Sequence, residues 1–262
     1  MMTSEAYSFA GWAHAGLPLV TGVAPPGTCS LTLLSESATF EQMALGLTAQ
    51  SMRKRQADLT LLHMAMYAIT SVLFAPLIVD KVALEITPDH FGLVLDERAE
   101  LHALWVGRVM PSKTEQAEAQ VTQLALGALA PIAAQARQSS RVSARGIANI
   151  MFDALIAGCR QVARSAGTDA EALVHTLIAA GPAWYQPARP ILAYPDAGPA
   201  VRFYVPRTCC VLNKQPSAHA CSTCPQYPDD ATRLERISEW LGTLANEDFR
   251  QVTGRQRVPG SE

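Results

Sequence analysis

A run of 21 residues without a formal charge, from Leu59 to Val79, constrains the fold of this 262-residue chain more than any other segment. Its length, and the three basic residues at 53–55 before it, would suit a helix that spans a bilayer. The run also contains His63 and Pro76, and charged residues follow it directly. Helices that are apolar on all sides are usually buried in a protein core. We therefore predict a central core helix, broken or ended at Pro76, and leave a peripheral position at a membrane surface open.

Helical periodicity dominates the rest of the chain. Helix starts are predicted at Thr39-x-x-Gln42, Ser112-x-x-Glu115, Ser143 and Thr168-x-x-Glu171, and a further helix after Asp230. Apolar side chains at helical spacing support these helices: Val121, Leu124, Leu129 and Ile132; Ile147, Ile150, Met151, Ala154 and Leu155; Leu234, Ile237, Trp240, Leu241 and Leu244. Gly181 and Pro182 predict the end of the helix that starts near Thr168.

At about 82–106 the apolar residues recur at every second position instead of at helical spacing. Three candidate strands, at 82–86, 91–95 and 101–106, predict a small antiparallel sheet with one buried face. The first 38 residues predict loops and short extended pieces, and the proline-rich stretch 182–206 predicts a linker or wrapped loop. The expected fold class is α+β: a mostly helical body with a small antiparallel sheet (residues 1–200), followed by a metal-bearing C-terminal module (residues 201–262).

Four cysteines within sixteen residues are the strongest chemical signal: Cys209, Cys210, Cys221 and Cys224. Thiolates are soft ligands that hold zinc or iron–sulfur clusters. Structural zinc usually takes two Cys-x-x-Cys pairs, whereas here one pair is adjacent and its side chains diverge. This geometry favours a two-iron cluster, while zinc and a pair of disulfides stay as alternatives. His219 could replace one thiolate, although four cysteines already complete a ligand set.

Bulk properties exclude several classes of function. The net charge is −2 and the pI about 6.3, so the basic surface of a nucleic-acid-binding protein is not expected. The N-terminal residues do not form a secretory signal, which predicts an intracellular protein. The chain has no Gly-rich dinucleotide or phosphate-binding motif, so we expect electrons to come from another protein rather than directly from a nicotinamide. The two other cysteines, Cys29 and Cys159, are predicted to be ordinary thiols, Cys159 buried in a helix.

The spacing Cys-Cys-x10-Cys-x2-Cys, preceded by Arg207 and followed by Pro225, resembles the FhuF-type siderophore-iron reductases. The resemblance implies that Cys209, Cys210, Cys221 and Cys224 ligate a [2Fe–2S] cluster. It also implies a preceding helical domain with a small sheet. A weaker similarity lies in Ser143-x-Arg145 and Asn149, where Ile147 stands in place of the family's tryptophan.

The function implied is that of an oxidoreductase, a ferric-siderophore reductase that releases iron in the cytoplasm by one-electron reduction of chelated Fe(III). Its expected partners are a ferric siderophore, of hydroxamate type, and a ferredoxin or flavin reductase as electron donor. No catalytic residue beyond the cluster ligands is predicted, and the protein could act at the inner face of the membrane. The alternatives are a non-catalytic, zinc-stabilised interaction module and an iron–sulfur sensor.

Other charged residues carry weaker predictions. Arg137, Arg141 and Arg145 recur every four residues, which would place them on one helical face if the helix is continuous. They could bind an anionic chelate or form a solvated surface. Arg207 and Lys214 could raise the potential of a neighbouring cluster. His63 is predicted to be a hydrogen-bonded core histidine.

Overall fold

The computed structural model describes residues 18–50, 52–96, 99–107, 109–112, 116–193, 201–206 and 225–246. Within them, the predicted α+β class is confirmed, because a helical body carries small sheets. The helices are α1 (Leu31–Ser35), α2 (Ser37–Ala49), α3 (Lys54–Ile69), α4 (Ala75–Val79), α5 (Ala117–Ser140), α6 (Ala144–Ala166), α7 (Glu171–Ala180) and α8 (Asp230–Asn246). The strands are β1 (Leu19–Thr21), β2 (Thr28–Ser30), β3 (Ala83–Glu85), β4 (Phe91–Leu95), β5 (Leu101–Val106), β6 (Met110–Ser112), β7 (Arg189–Ala193) and β8 (Val201–Val205).

The apolar run forms the centre of the body. It is one helical stretch, Lys54–Val79, packed against α2, α5 and α6, and 72% of its most apolar window is buried. By length and composition alone this stretch could also cross a membrane. Its burial inside the protein confirms the prediction of a core helix, since its apolar surface is already covered by neighbouring helices.

Pro76 changes the geometry of this helix without ending it. Residues Thr70–Phe74 form a π-helical turn, in which the Ala75 N–H group donates to the Thr70 carbonyl, and the chain continues as α4 to Val79. Proline lacks an N–H group, and its ring collides with the preceding turn of an ordinary α-helix. The wider π turn relieves that collision. Where a break was predicted, the helix is therefore locally widened and continues.

His63 lies on α3 and differs from the prediction of a hydrogen-bonded core histidine. Its Nε2 atom is buried and has no hydrogen-bond partner among the described residues, although part of the side chain reaches the surface. Burial disfavours the charged imidazolium and lowers the pKa of His63 to about 4. The ring therefore stays neutral at physiological pH.

This pKa predicts a loss of stability in acid. An unfolded histidine titrates at a pKa of about 6.5, so between pH 6.5 and 4 the unfolded chain binds a proton that the folded protein does not. The free energy of unfolding should fall by about 3 kcal/mol across this range from His63 alone. Urea unfolding between pH 7 and pH 4 tests this, with His63→Leu showing a shallower decline than the wild type. Parallel curves for the two proteins would contradict it.

The main sheet is mixed, which corrects the prediction of an antiparallel sheet. Its order is β1-β5-β4-β2. The predicted antiparallel pairing of β4 with β5 is confirmed, and β2 adds antiparallel to β4. However, β1 lies parallel to β5, with Leu19 opposite Leu104. Both β1 and β2 come from the first 38 residues, where the predicted short extended pieces are confirmed, although α1 was not predicted.

The first predicted strand belongs to another sheet. β3 pairs with β6, with Leu84 opposite Pro111, and does not pair with β4. A 3₁₀ turn at Pro88–His90 separates β3 from β4. Alternation at 82–86 therefore marked a strand correctly but did not reveal its partner.

Three of the four predicted helix starts are wrong in their capping residue. Thr39 lies inside the first turn of α2, and Ser112 ends β6, while Glu115 lies outside the described residues. Before α7, Asp169 rather than Thr168 accepts a hydrogen bond, from the Glu171 N–H group at 3.0 Å. The Ser143 cap is confirmed, since its Oγ accepts from the Gly146 N–H group at 3.0 Å.

The long helices α5 and α6 confirm the predicted apolar stripes, with most of the named side chains buried. The predicted shared face of Arg137, Arg141 and Arg145 is wrong. Arg141 has a φ of 58° and ends α5, and α6 begins after Ser143. Arg145 instead lies over the Trp184 ring, with its guanidinium carbon 5.2 Å from the ring centroid.

Two paired strands, Arg189–Ala193 and Val201–Val205, lie in the stretch that was predicted to be a linker or wrapped loop, and we call this strand pair the hairpin. β7 and β8 pair antiparallel, with Arg189 opposite Val205. Ile191, Ala193, Val205 and Ile237 form a small hydrophobic cluster separate from the core of the body. The cluster joins the hairpin to α8 and includes β7, which precedes residue 200. The domain boundary at 200 stays a prediction.

Candidate functional site

The predicted ligands Cys209, Cys210, Cys221 and Cys224 lie outside the described residues, as do Arg207, Lys214 and His219. The structure describes both flanks of this cysteine segment (residues 207–224). On the N-terminal side of the segment the described residues end at Pro206, directly after β8. On the C-terminal side they resume at Pro225, in the turn before α8. The candidate site is therefore described through the elements on either side of it.

Apolar packing holds the two flanks in one unit. Val205, the last residue of β8, and Ile237, on α8, are buried in the same hydrophobic cluster. Ile237 is fully buried, and Leu234 and Phe203 pack against the cluster. The predicted α8 stripe is confirmed for Leu234 and Ile237; the side chains from Trp240 onward lie outside the described residues.

An ion-pair chain also joins the two flanks. Arg189, opposite Val205 in the hairpin, donates to both carboxylate oxygens of Asp230, one of them at 2.7 Å. Asp230 also accepts from Arg233 at 2.9 Å. The hydrogen bonds from Arg189 first, and then those from Arg233, hold the pKa of the Asp230 carboxyl below its usual value. The three residues thus link β7 to the first turn of α8.

Arg233 connects these ion pairs to the residue that directly follows the cysteine segment. Its guanidinium donates to the Pro225 carbonyl at 3.3 Å and to the Tyr227 carbonyl at 2.6 Å, and its side chain is only 7% exposed. Pro225 directly follows Cys224. A buried cation therefore holds the backbone next to the last predicted ligand. In addition, Asp229 caps α8, since its carboxylate accepts a hydrogen bond from the Thr232 N–H group at 2.8 Å.

Replacing Arg233 by methionine should destabilise this unit by about 2 kcal/mol, because hydrogen bonds from a charged donor to two carbonyls and a carboxylate are lost. Arg236 provides a matched control on the same helix: it is half-exposed and pairs with Glu239 at 2.8 Å. Arg236→Met should change stability by less than about 0.5 kcal/mol. Urea unfolding measures both variants, and equal effects would show that Arg233 does not anchor the turn.

The two remaining cysteines are core residues, as predicted for Cys159. Cys29, in β2, and Cys159, in α6, are buried free thiols. Burial, helped by the charge of Glu36, raises the pKa of Cys29 to about 12, and burial raises the pKa of Cys159. Both thiols therefore stay protonated in the folded protein.

A cluster of hard ligands, not predicted from the sequence, lies at the β4–β5 turn. The ligand atoms of Asp96, Glu100 and His102 lie within 4.8 Å of one another, and His102 Nε2 is 3.2 Å from Asp96 Oδ2. Their positions next to the ends of the predicted strands 91–95 and 101–106 were the available signal. Carboxylate and imidazole groups are not the usual ligands of an iron–sulfur cluster, so this cluster has no bearing on the predicted [2Fe–2S] site.

The cavities in the described part of the chain include the following two. The larger, of about 590 Å³, lies between β3 and the start of α5, with Glu85, His90 and Gln123 among its lining residues. The smaller, of about 200 Å³, lies where α6, the start of α7 and β8 meet, and Arg160 and Tyr204 line it. We call the second the junction cavity.

The chain matches no protein-family model and none of the curated proteins. The functional assignment therefore depends on the residues themselves.

Proposed function

We propose that this protein is a ferric-siderophore reductase in which Cys209, Cys210, Cys221 and Cys224 hold a [2Fe–2S] cluster. The observation that carries the proposal is the spacing Cys-Cys-x10-Cys-x2-Cys, which resembles that of the FhuF-type reductases. The chemistry of the ligand set agrees with it, because four thiolates are the usual ligands of such a cluster. The cluster would supply electrons one at a time.

The reaction requires one electron for each iron released. Siderophores hold Fe(III), a hard ion, through oxygen donors. Addition of one electron gives Fe(II), whose lower charge weakens each metal–oxygen bond, so that the iron dissociates and the siderophore is left free. A ferredoxin or flavin reductase in the cytoplasm would supply the electron, since the chain has no nucleotide-binding motif.

The described residues support this proposal in two respects. The helical body with small sheets is the fold that the resemblance implies. In addition, the hairpin and α8 bring the flanks of the cysteine segment into one unit through Val205, Ile237 and the ion-pair chain Arg189–Asp230–Arg233. Such an anchored segment is suited to hold several ligands around one group.

Spectroscopy of anaerobically purified protein tests the proposal. The protein should be reddish-brown with thiolate-to-iron absorption, and its reduced form should show a spin-half resonance. Mixing the reduced protein with a ferric trishydroxamate and a ferrous-specific chromophore should release Fe(II). Colourless protein that contains stoichiometric zinc would overturn the proposal in favour of a zinc-stabilised interaction module.

A further inference from the structure

The junction cavity lies on the strand that leads to the cysteine segment. It is an open cavity lined by Arg160 and Arg164 on α6, by Thr168, Asp169 and Glu171 at the start of α7, and by Tyr204 on β8. Tyr204 precedes Cys209 by five residues. Five residues of extended chain span at most about 18 Å, so covalent connection alone keeps the first predicted ligand near this cavity.

Arg160 provides unused hydrogen-bond donors at the cavity wall. Its guanidinium stacks on Tyr204, with its central carbon 4.0 Å from the ring centroid, and donates to the Glu171 carboxylate at 3.2 and 3.5 Å. A guanidinium carries five N–H groups, so three have no partner among the described residues. The side chain as a whole is 18% exposed.

Two hydroxyl groups add to this set. The side chains of Thr168 and Tyr204 are half-buried and line the cavity. In the described part of the protein, neither hydroxyl has a hydrogen-bond partner. The cavity therefore combines guanidinium and hydroxyl donors, which suits a group with oxygen acceptors.

The charges that line the cavity cancel, so the cavity offers no net attraction to a highly charged ligand. Arg160 and Arg164 contribute two positive charges, and Asp169 and Glu171 contribute two negative charges, so the formal sum is zero. Three hydroxamates neutralise Fe(III), whereas three catecholates leave a chelate with three negative charges. A neutral chelate needs no net charge at this wall, whereas a trianionic chelate gains no net Coulomb attraction from it.

We propose that the junction cavity binds one hydroxamate arm of a neutral ferric chelate, through Arg160, Thr168 and Tyr204, and so holds the chelate beside the cysteine segment. The volume of about 200 Å³ holds a single arm rather than a whole siderophore. This inference rests on the proposed function, since it assigns the substrate position for that reaction.

Binding of a redox-inert analogue tests the site separately from reduction. The gallium(III) complex of a neutral trishydroxamate has the charge of the ferric complex and cannot be reduced by the protein. Isothermal titration calorimetry on the full chain should show that Thr168→Val/Tyr204→Phe weakens its binding about tenfold, because two hydrogen bonds are lost. The control is Thr176→Val, whose hydroxyl bonds only the Ala172 carbonyl of its own helix, at 3.0 Å, and lies outside the cavity lining.

The outcomes separate this inference from the proposed function. Wild-type binding that the double variant weakens and the control retains supports the cavity, provided that both variants unfold at the wild-type temperature. Equal binding by wild type and double variant would overturn the cavity while leaving the reductase proposal intact. Equal affinity for a gallium triscatecholate would overturn the charge argument. Coloured protein that binds no chelate at all would overturn the siderophore substrate and the cavity together.

Discussion

Replacing Cys224 by serine should abolish the colour and the spin-half signal that the proposed cluster predicts, together with the proposed reduction of ferric siderophores. A thiolate is a soft, charged ligand, whereas the serine hydroxyl stays protonated and binds soft metal centres poorly. Each of Cys209, Cys210 and Cys221 should behave in the same way if the four cysteines form one ligand set. Visible absorption, EPR spectroscopy and iron content measure the effect on protein purified without oxygen.

Cys29→Ala is the matched control for this experiment. Cys29 is buried in β2, and its pKa of about 12 keeps it a neutral thiol. Its loss should leave colour and iron content unchanged, with only a modest cost in stability. A Cys224→Ser protein with the wild-type absorption and resonance would remove Cys224 from the ligand set and would contradict the proposed function.

Replacing Gly92 by alanine should destabilise the body by about 4 kcal/mol or more. Gly92 lies on β4 opposite Ser30 of β2, and a Cβ atom there would lie 2.1 Å from the Cys29 carbonyl oxygen and 2.6 Å from the Ser30 Cα atom. Both obstacles are backbone atoms, which cannot rotate away as a side chain does. The strands β2 and β4 would have to separate, with loss of their hydrogen bonds and of the buried surface between them. Chemical denaturation measures the free energy of unfolding.

Gly127→Ala tests the same chemical change where space is open. Gly127 lies inside α5, and apart from its chain neighbours and the backbone of its own helix no atom of the described residues lies within 4 Å of an added Cβ atom. Alanine has a higher helix propensity than glycine, so this variant should be more stable by about 0.5–1 kcal/mol. Opposite signs for the two substitutions would confirm the close approach of β2 to β4. A Gly92→Ala protein of wild-type stability would show that the two strands are not packed as described.

Local patterns predicted the helices well, because burial of a helical face repeats every three to four residues. Ile147, Ile150 and Leu155 on α6 are buried as their spacing indicated. Helix starts were less predictable, because more than one polar residue near each start can accept a backbone hydrogen bond. Before α7, Asp169 takes this role although Thr168 has the expected capping pattern.

Strand pairing could not be predicted from the same patterns. Alternation identified the segments of β3, β4 and β5, but it is silent about partners that are distant in sequence. Leu19 of β1 pairs with Leu104 of β5, and Leu84 of β3 pairs with Pro111 of β6. The proline-rich appearance of 182–206 likewise hid the β7–β8 hairpin, in which Pro190 is paired with Tyr204.

The candidate site was likewise predicted from the sequence only in part. The identity and spacing of Cys209, Cys210, Cys221 and Cys224 are properties of the sequence, and the thiolate chemistry that they indicate needs no coordinates. The sequence by itself also determined that a long apolar helix had to be buried, because so many uncharged side chains together cannot remain in water.

Only the tertiary structure decided how the two flanks of the cysteine segment are held together. Arg189 and Asp230 lie 41 residues apart, and nothing in their local sequence indicates that they pair or that Arg233 extends the pair to Pro225. Arg160 and Tyr204 meet across 44 positions for the same reason. Contacts of this kind depend on how the hairpin and helices pack, because charged side chains find partners wherever the burial of apolar faces brings them together.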